Sequence, residues 1–235
     1  MQVAKVTNNR SLQLVSQHEL FQHLSLQTEE LGFKFFSIAL RSPLPLSQPR
    51  QGALSNYPES WQHAYVRNNY FAIDPVVQHA LHFQSLLVWS DEVFAGTPEF
   101  WNTAQAAGLR FGLSQPTRGV HGSIGLLSLA RPDRAISPAE LEDNKFKLAW
   151  LAQTAHFAMS QHLLPDYMPA TQTKLSSQEV AVLRWIAEGK TSAEVADILK
   201  LAERTVNFHI NNANTKLGTN NRTAAAVSAA LLGLL

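Results

Sequence analysis

Two regions of strong hydrophobic patterning flank a stretch that has none. Leu163-Leu-Pro-Asp-Tyr-Met-Pro-Ala-Thr-Gln-Thr173 carries two prolines and neither a helical nor a strand period, so it reads as a linker. Residues 1–162 form one expected domain and residues 174–235 a second, with 163–173 between them. In the first, a helical period over about 11–31 leads to Phe33-Lys-Phe-Phe-Ser-Ile-Ala-Leu40, whose aromatic and β-branched residues suit a strand. Shorter strands are expected at Leu86-Leu-Val-Trp89, Leu113–Thr117 and Ser123-Ile-Gly-Leu-Leu-Ser-Leu129, with helical stretches between them. A long helix is expected from Ser137 to about His162, capped by Ser137 and carrying Pro138 and Glu140 in its first turn. The mixture predicts an α+β chain whose first domain is an α-β-α sandwich, a sheet covered by helices on both faces.

After the linker the pattern is all helix. Ser176-Ser-Gln-Glu179 and Thr191-Ser-Ala-Glu194 both have capping-box spacing, in which hydroxyl and carboxylate satisfy free backbone N–H groups reciprocally. Val180, Leu183, Ile186 and Ala187 are expected on the inner face of the first helix, with Gly189 as its left-handed stop. The second helix offers Val195, Ile198 and Leu199. A turn around Leu201-Ala-Glu-Arg204 leads to a third, where Val206, Ile210, Ala213 and Leu217 fall inward and Arg204, Asn207, Asn211 and Thr215 outward. A last, alanine-rich helix covers Arg222 to about Leu232. Two short helices joined by a tight turn, the second bearing a polar stripe, could place that stripe in a major groove.

Composition narrows the function without fixing it. The chain is 45% apolar and 16% charged, and no apolar run approaches the roughly 18 residues of a membrane span, so a soluble protein is expected. The polar N-terminus lacks the features of a secretory signal, which makes cytoplasm the default compartment. With no cysteine, disulfides, thiol nucleophiles and the usual structural zinc sites are excluded. The nine histidines are scattered; His79 and His82 lie three apart on one expected helix, and a solvated face is the reading given to them rather than a metal site. Neither a G-x-S-x-G elbow nor a phosphate-binding glycine loop occurs, so no enzyme is expected. Net charge is +1; beyond residue 170 seven Lys and Arg face five Asp and Glu, a weak asymmetry in the direction of a nucleic-acid partner.

Leu175-Ser-x-x-Glu179, Leu183, Gly189-Lys-Thr191, Glu194-Val-Ala196, Leu199, Thr205-Val-x-x-His209-Ile-x-Asn212, Lys216-Leu217 and Arg222 together resemble the C-terminal four-helix, helix-turn-helix domain of LuxR/FixJ-type regulators. The resemblance implies double-stranded DNA as a partner. It makes Lys190, Thr191, Lys216, Asn221 and Arg222 candidates for phosphates, and Arg204, Asn207 and Asn211 candidates for base edges, with Thr205 and His209 in the same helix. Ala202 stands where the family usually has a capping serine or aspartate, and Asn207 where it commonly has lysine.

In the first domain, Ser55-Asn-Tyr57-Pro-x-x-Trp61-x-x-x-Tyr65, Ile73-Asp74-Pro75 and Trp89 concentrate aromatics around one acid, and the spacing of four puts Tyr57, Trp61 and Tyr65 along one expected helix face. Asp74 before Pro75 suits a helix start; an aromatic core stripe with Asp74 as a mere cap is the competing reading. The pattern resembles the autoinducer domain of LuxR-type receptors, in particular the orphan receptors of pseudomonads. It implies a receptor for an N-acyl-homoserine lactone, with no further cofactor. On that resemblance Trp61 donates to the lactone carbonyl, Asp74 accepts the amide N–H, and Tyr57 and Ser128 donate to the amide carbonyl. Tyr65, Val77, Trp89, Phe100, Trp101 and Leu126 are implied apolar walls. A homodimer on two-fold symmetric DNA is expected, and the alternative held open is a receptor of the same build for a non-lactone small molecule.

Overall fold

The computed structural model describes residues 16–168 and 173–235. They fall into two compact units, one of residues up to Arg41, Gln51–Gly119 and Ile124–Leu163, the other of Ser42–Arg50, Val120–Ser123 and Leu164–Leu235.

The first unit is built on an antiparallel sheet of β1 (Phe35–Arg41), β2 (Gln51–Ser55), β3 (Leu87–Val88), β4 (Phe111–Arg118) and β5 (Ile124–Arg131), in the order β2-β1-β5-β4-β3. Strand alternation sorts the two faces. Phe36, Ile38, Leu40, Leu127 and Leu129 are buried on one, in the layer of α1 (Gln17–Glu30) and α5 (Pro138–Tyr167), where Phe21 meets Phe36 edge-on and His156 bonds Thr117. Phe35, Leu126 and Ala130 point the other way, into a core shared with α2 (Glu59–Arg67), α3 (Pro75–His82) and α4 (Pro98–Ala106). This is the three-layer sandwich that the pattern predicts.

Three local expectations change. The strand β2 was not anticipated: Gln51-Gly-Ala-Leu-Ser55 has little β-branched or aromatic content and runs on the sheet edge, where one side only is paired. Tyr57 is not on a helix face with Trp61 and Tyr65; it precedes α2, whose first residue is Glu59, because Pro58 opens the helix instead of continuing one. The long helix does not stop near His162. It continues through Pro165 to Tyr167, so Leu163–Tyr167 are helical where linker was expected. Leu164 and Met168 are buried there, and the Met168 amide donates to the Leu164 carbonyl at 2.7 Å. Residues 11–15 of the first expected helix and 169–172 of the expected linker lie outside the described residues.

In the second unit α6 (Ser177–Ala187), α7 (Ser192–Leu199), α8 (Glu203–Leu217) and α9 (Arg222–Leu231) pack together. Both capping boxes form, at Ser176 with Glu179 and at Thr191 with Glu194. Val206, Ile210, Ala213 and Leu217 are buried as the period requires. In α6 the buried set is Val182, Leu183 and Ile186, while Val180 is half-buried and Ala187 exposed; Ile198 of α7 is exposed as well. Gly189 and Gly218 close helices at φ of +87° and +66°, a region glycine enters at little cost.

Candidate functional site

Between the sheet and the layer of α2, α3 and α4 lies a cavity of about 440 Å³. Trp61 and Tyr65 reach it from α2, Asp74, Val76 and Val77 from the start of α3, Phe100 and Trp101 from α4, and Leu126 and Ser128 from β5. All ten residues expected to touch a ligand line it, Tyr57 and Trp89 included. The aromatic rings brace one another: Trp61 stacks on Tyr70 and meets Phe100 edge-on at 5.3 Å, and Phe94 lies flat on Trp101 at 4.2 Å. The Trp101 indole N–H is occupied, donating to Asp91 Oδ1 at 2.7 Å.

Asp74 caps α3, accepting from the Val76 amide at 2.9 Å, and its other oxygen accepts from the Tyr65 hydroxyl at 2.8 Å. Burial pushes its carboxyl up to about 6, and the Tyr65 hydroxyl with the Val76 and Val77 amides holds the rise in check. The phenols of Tyr57 and Tyr65 are pushed well above the ordinary tyrosine range, chiefly by burial and then by the Asp74 charge, so both keep their protons as donors. Tyr57 has no closed hydrogen bond for its buried hydroxyl, although Ser128 faces it. A buried polar atom of this kind is uncommon and calls for a partner.

Opposite, the Trp89 indole N–H donates to Ser114 Oγ at 2.9 Å, and Ser114 shares a 2.7 Å bond with Ser128. Indole only donates, so Ser114 Oγ accepts from Trp89, while either hydroxyl of the Ser114–Ser128 pair can donate to the other. The Trp89 ring lies directly on Gly112: a Cβ at that position would stand 2.4 Å from it.

The sheet contributes residues that no sequence motif marks. Ser55 pairs with Ser37, Ser37 with Ser128, and Ser128 with Ser114, a row of serines across β2, β1, β5 and β4. Ser37, Ala39, Gln51, Gly52, Ala53 and Ser55 also line the cavity. The period-two alternation of β1 could have pointed to Ser37 and Ala39; the missed strand hid the rest.

On the second unit Arg204, Asn207, Asn211 and Thr215 form an exposed stripe along α8, with Thr205 and His209 half-buried beside it. Asn207 Oδ1 accepts from the Ser192 hydroxyl at 2.8 Å, so part of this side chain joins α7 to α8. Lys216 donates to both carboxylate oxygens of Glu179 at 2.9 and 2.7 Å, a bond across α8 and α6 in place of a free cation. Burial would raise the Glu179 carboxyl, but Lys216 and the Ser176 amide hold it below the usual range. Thr191 and Asn221 are helix caps with exposed side chains, Lys190 pairs with Glu194 at 3.6 Å, and Arg222 is exposed. Ala202 caps α8 without any side-chain bond. Phe208, which no sequence motif singles out, is 58% exposed beside the same stripe. Among the described residues no group of acids and histidines is disposed to hold a metal, and no helix is long and apolar enough to cross a membrane.

Two family models match the chain, the autoinducer binding domain over residues 16–159 and the luxR family of bacterial regulatory proteins over residues 173–229. The chain is 37% identical over 222 residues to the transcriptional activator protein AnoR of Acinetobacter nosocomialis, covering 94% of this chain and 93% of that one. It is similar to the crystal structure of Escherichia coli SdiA, with TM-score 0.83, 33% identity and 96% and 94% of the two chains covered. SdiA in complex with octanoyl-rac-glycerol matches with TM-score 0.81 and 34% identity, over 96% and 92%. An N-acylhomoserine lactone dependent LuxR-family transcription factor of Burkholderia cenocepacia matches with TM-score 0.56 and 28% identity over 61% of this chain and 85% of that one.

Proposed function

The chain belongs to the LuxR family of autoinducer-binding transcription regulators, and on that premise we propose that its cavity holds an N-acyl-homoserine lactone and that α8 reads promoter DNA in a cytoplasmic homodimer. The observation that carries the ligand assignment is the polar set of Tyr57, Trp61, Asp74 and Ser128 in a cavity also walled by aromatic side chains. Tyr57, with its unpaired buried hydroxyl, and Ser128 present protons to one carbonyl, Trp61 presents an indole N–H to a second, and Asp74 offers acceptor lone pairs to an amide N–H. An acyl-homoserine lactone has two carbonyls and one N–H in that arrangement, with a tail for the apolar walls. The lactone-dependent relative supports this choice.

Thermal unfolding with N-acyl-homoserine lactones of about four to fourteen acyl carbons tests it. At 100 times the dissociation constant the folded state gains about 2.7 kcal/mol, which for a chain of this size raises Tm by roughly 5–10 °C. A shift with 1-octanoyl-glycerol and none with any lactone sinks the lactone assignment and favours the second reading, a non-lactone acyl ligand, which the SdiA complex supports.

For the dimer, α5 carries Phe146, Trp150 and Phe157 on one face, 77%, 58% and 49% exposed, an apolar stripe suited to a second copy. Trp150→Glu is expected to sediment as a monomer while still binding the lactone. An unchanged dimer moves the interface elsewhere.

A further inference from the structure

We propose that Phe208 reads the methyl group of a thymine in the major groove and so helps set which operator this regulator prefers. The inference rests on the DNA-binding reading of α8. The large aliphatic side chains of this helix are buried, with Val206 at 0% and Ile210 and Leu217 at 6% exposure, whereas the Phe208 ring stands 58% exposed and outside the core cluster of its unit. It is not at a helix end or on the solvent side away from the reading face. It follows Asn207, lies one turn beyond Arg204 and one turn before Asn211, and therefore borders the exposed polar stripe halfway along its length. The His209 ring meets it edge-on at 5.6 Å, a contact that limits how far it can swing.

The polar neighbours can address phosphates or the nitrogen and oxygen atoms of base edges, but a phenyl ring has nothing to offer those atoms. Of the four bases only thymine shows the major groove an apolar feature, its C5 methyl, and an aromatic side chain is one of the partners that methyl takes. A ring beside this stripe thus has one matching partner in the groove that its neighbours are placed to enter.

The test uses duplexes that the full-length chain itself enriches from a randomised pool, then replaces each thymine of the enriched half-site by deoxyuridine, which deletes the methyl and nothing else. One position per half-site is expected to lose about three- to fivefold in affinity, the value of one buried methyl. In Phe208→Ala the unmodified duplex should weaken by a similar factor and the deoxyuridine penalty at that position should vanish; Phe208→Leu should retain part of it. The penalty should not vary with salt, unlike a phosphate contact. No methyl-sensitive position in the wild type, or a penalty that persists in Phe208→Ala, overturns the proposal while leaving DNA binding intact. Failure to enrich any duplex overturns the DNA-binding reading itself, and the proposal with it.

Discussion

Asp74→Asn is expected to make the unliganded receptor more stable and the liganded complex weaker. Asp74 is 8% exposed and its carboxyl is pushed from the usual 3.8 up to about 6, so above neutral pH the native state carries a buried charge that the unfolded chain hydrates freely. Between those two values the native state binds more protons than the unfolded one, so stability falls as pH rises through about 6. The shift corresponds to about 3 kcal/mol at pH 7.5, an upper figure, and to almost nothing below pH ~4. Asparagine removes the charge yet keeps an oxygen for the Val76 amide and an N–H for the Tyr65 hydroxyl, so the cap of α3 survives. Urea unfolding of the unliganded proteins should show the variant ahead at pH 7.5 by up to about 3 kcal/mol and the gap narrowing toward pH 5. Titrations of other groups, common to both proteins, cancel in the difference. Calorimetry at pH 7.5 should show lactone binding weakened by about 1–3 kcal/mol, since a donor now faces the ligand N–H. A variant less stable than wild type at pH 7.5, or a gap of equal size at both pH values, would refute the reasoning, because either result means that Asp74 carries no buried-charge penalty.

Tyr65→Phe deletes a donor that restrains the Asp74 carboxyl, so the pH at which lactone affinity is lost on acidification should move upward from about 6; a calorimetric profile from pH ~5.5 to ~8.5 with an unmoved midpoint defeats this. Gly112→Ala would set a Cβ 2.4 Å from the Trp89 ring, and displacing the ring breaks its bond to Ser114; a loss of about 1–3 kcal/mol in unfolding and a much weaker lactone complex are expected, and an unperturbed indole fluorescence would contradict both. Ala202→Ser supplies the missing cap of α8 and should raise the stability of the second unit by about 1 kcal/mol in denaturant unfolding. Lys216→Met leaves the Glu179 carboxylate with its helix-cap bonds alone. The cost should be on the order of 1–2 kcal/mol near neutral pH, reduced because Lys216 is partly in water, and should fade as pH drops below the usual carboxylate range, since the contribution of a depressed carboxyl is lost there.

What the sequence made legible follows the kind of signal each part carries. The second unit is short-range: two capping boxes, a glycine stop and a period of 3.6 each fix structure within a few residues, and all three reappear in place. Even there, which of Val180, Val182 or Ala187 faces inward depends on how α6 meets its neighbours, and periodicity alone picked two of the wrong ones. The aromatic and acidic lining of the cavity was legible because those side chains resemble a known pattern, yet a helix face does not hold Tyr57, since Pro58 starts α2 after it. Ser37 and the residues of β2 stayed invisible for a different reason. Their part in the cavity comes from sheet pairing between segments far apart in the chain, and an edge strand with weak propensity gives no local sign of that pairing. Lys216 shows the converse: the resemblance makes it a phosphate candidate, and only the fold reveals the buried Glu179 with which it pairs.

The serine row has a consequence for how this domain tolerates insertions. Successive residues of a strand face opposite sides, so adding one residue within β1, β4 or β5 would turn its serine into the layer of α1 and α5 and present a flanking residue such as Phe36, Ile38, Leu113 or Leu127 to the cavity. Each such slip both buries a hydroxyl among hydrocarbon and removes a polar contact from the cavity. A length-changing variant therefore cannot trade folding against signal recognition: chains that misalign the sheet lose the response along with the structure, and the pocket acts as a checksum on the pairing of the strands beneath it.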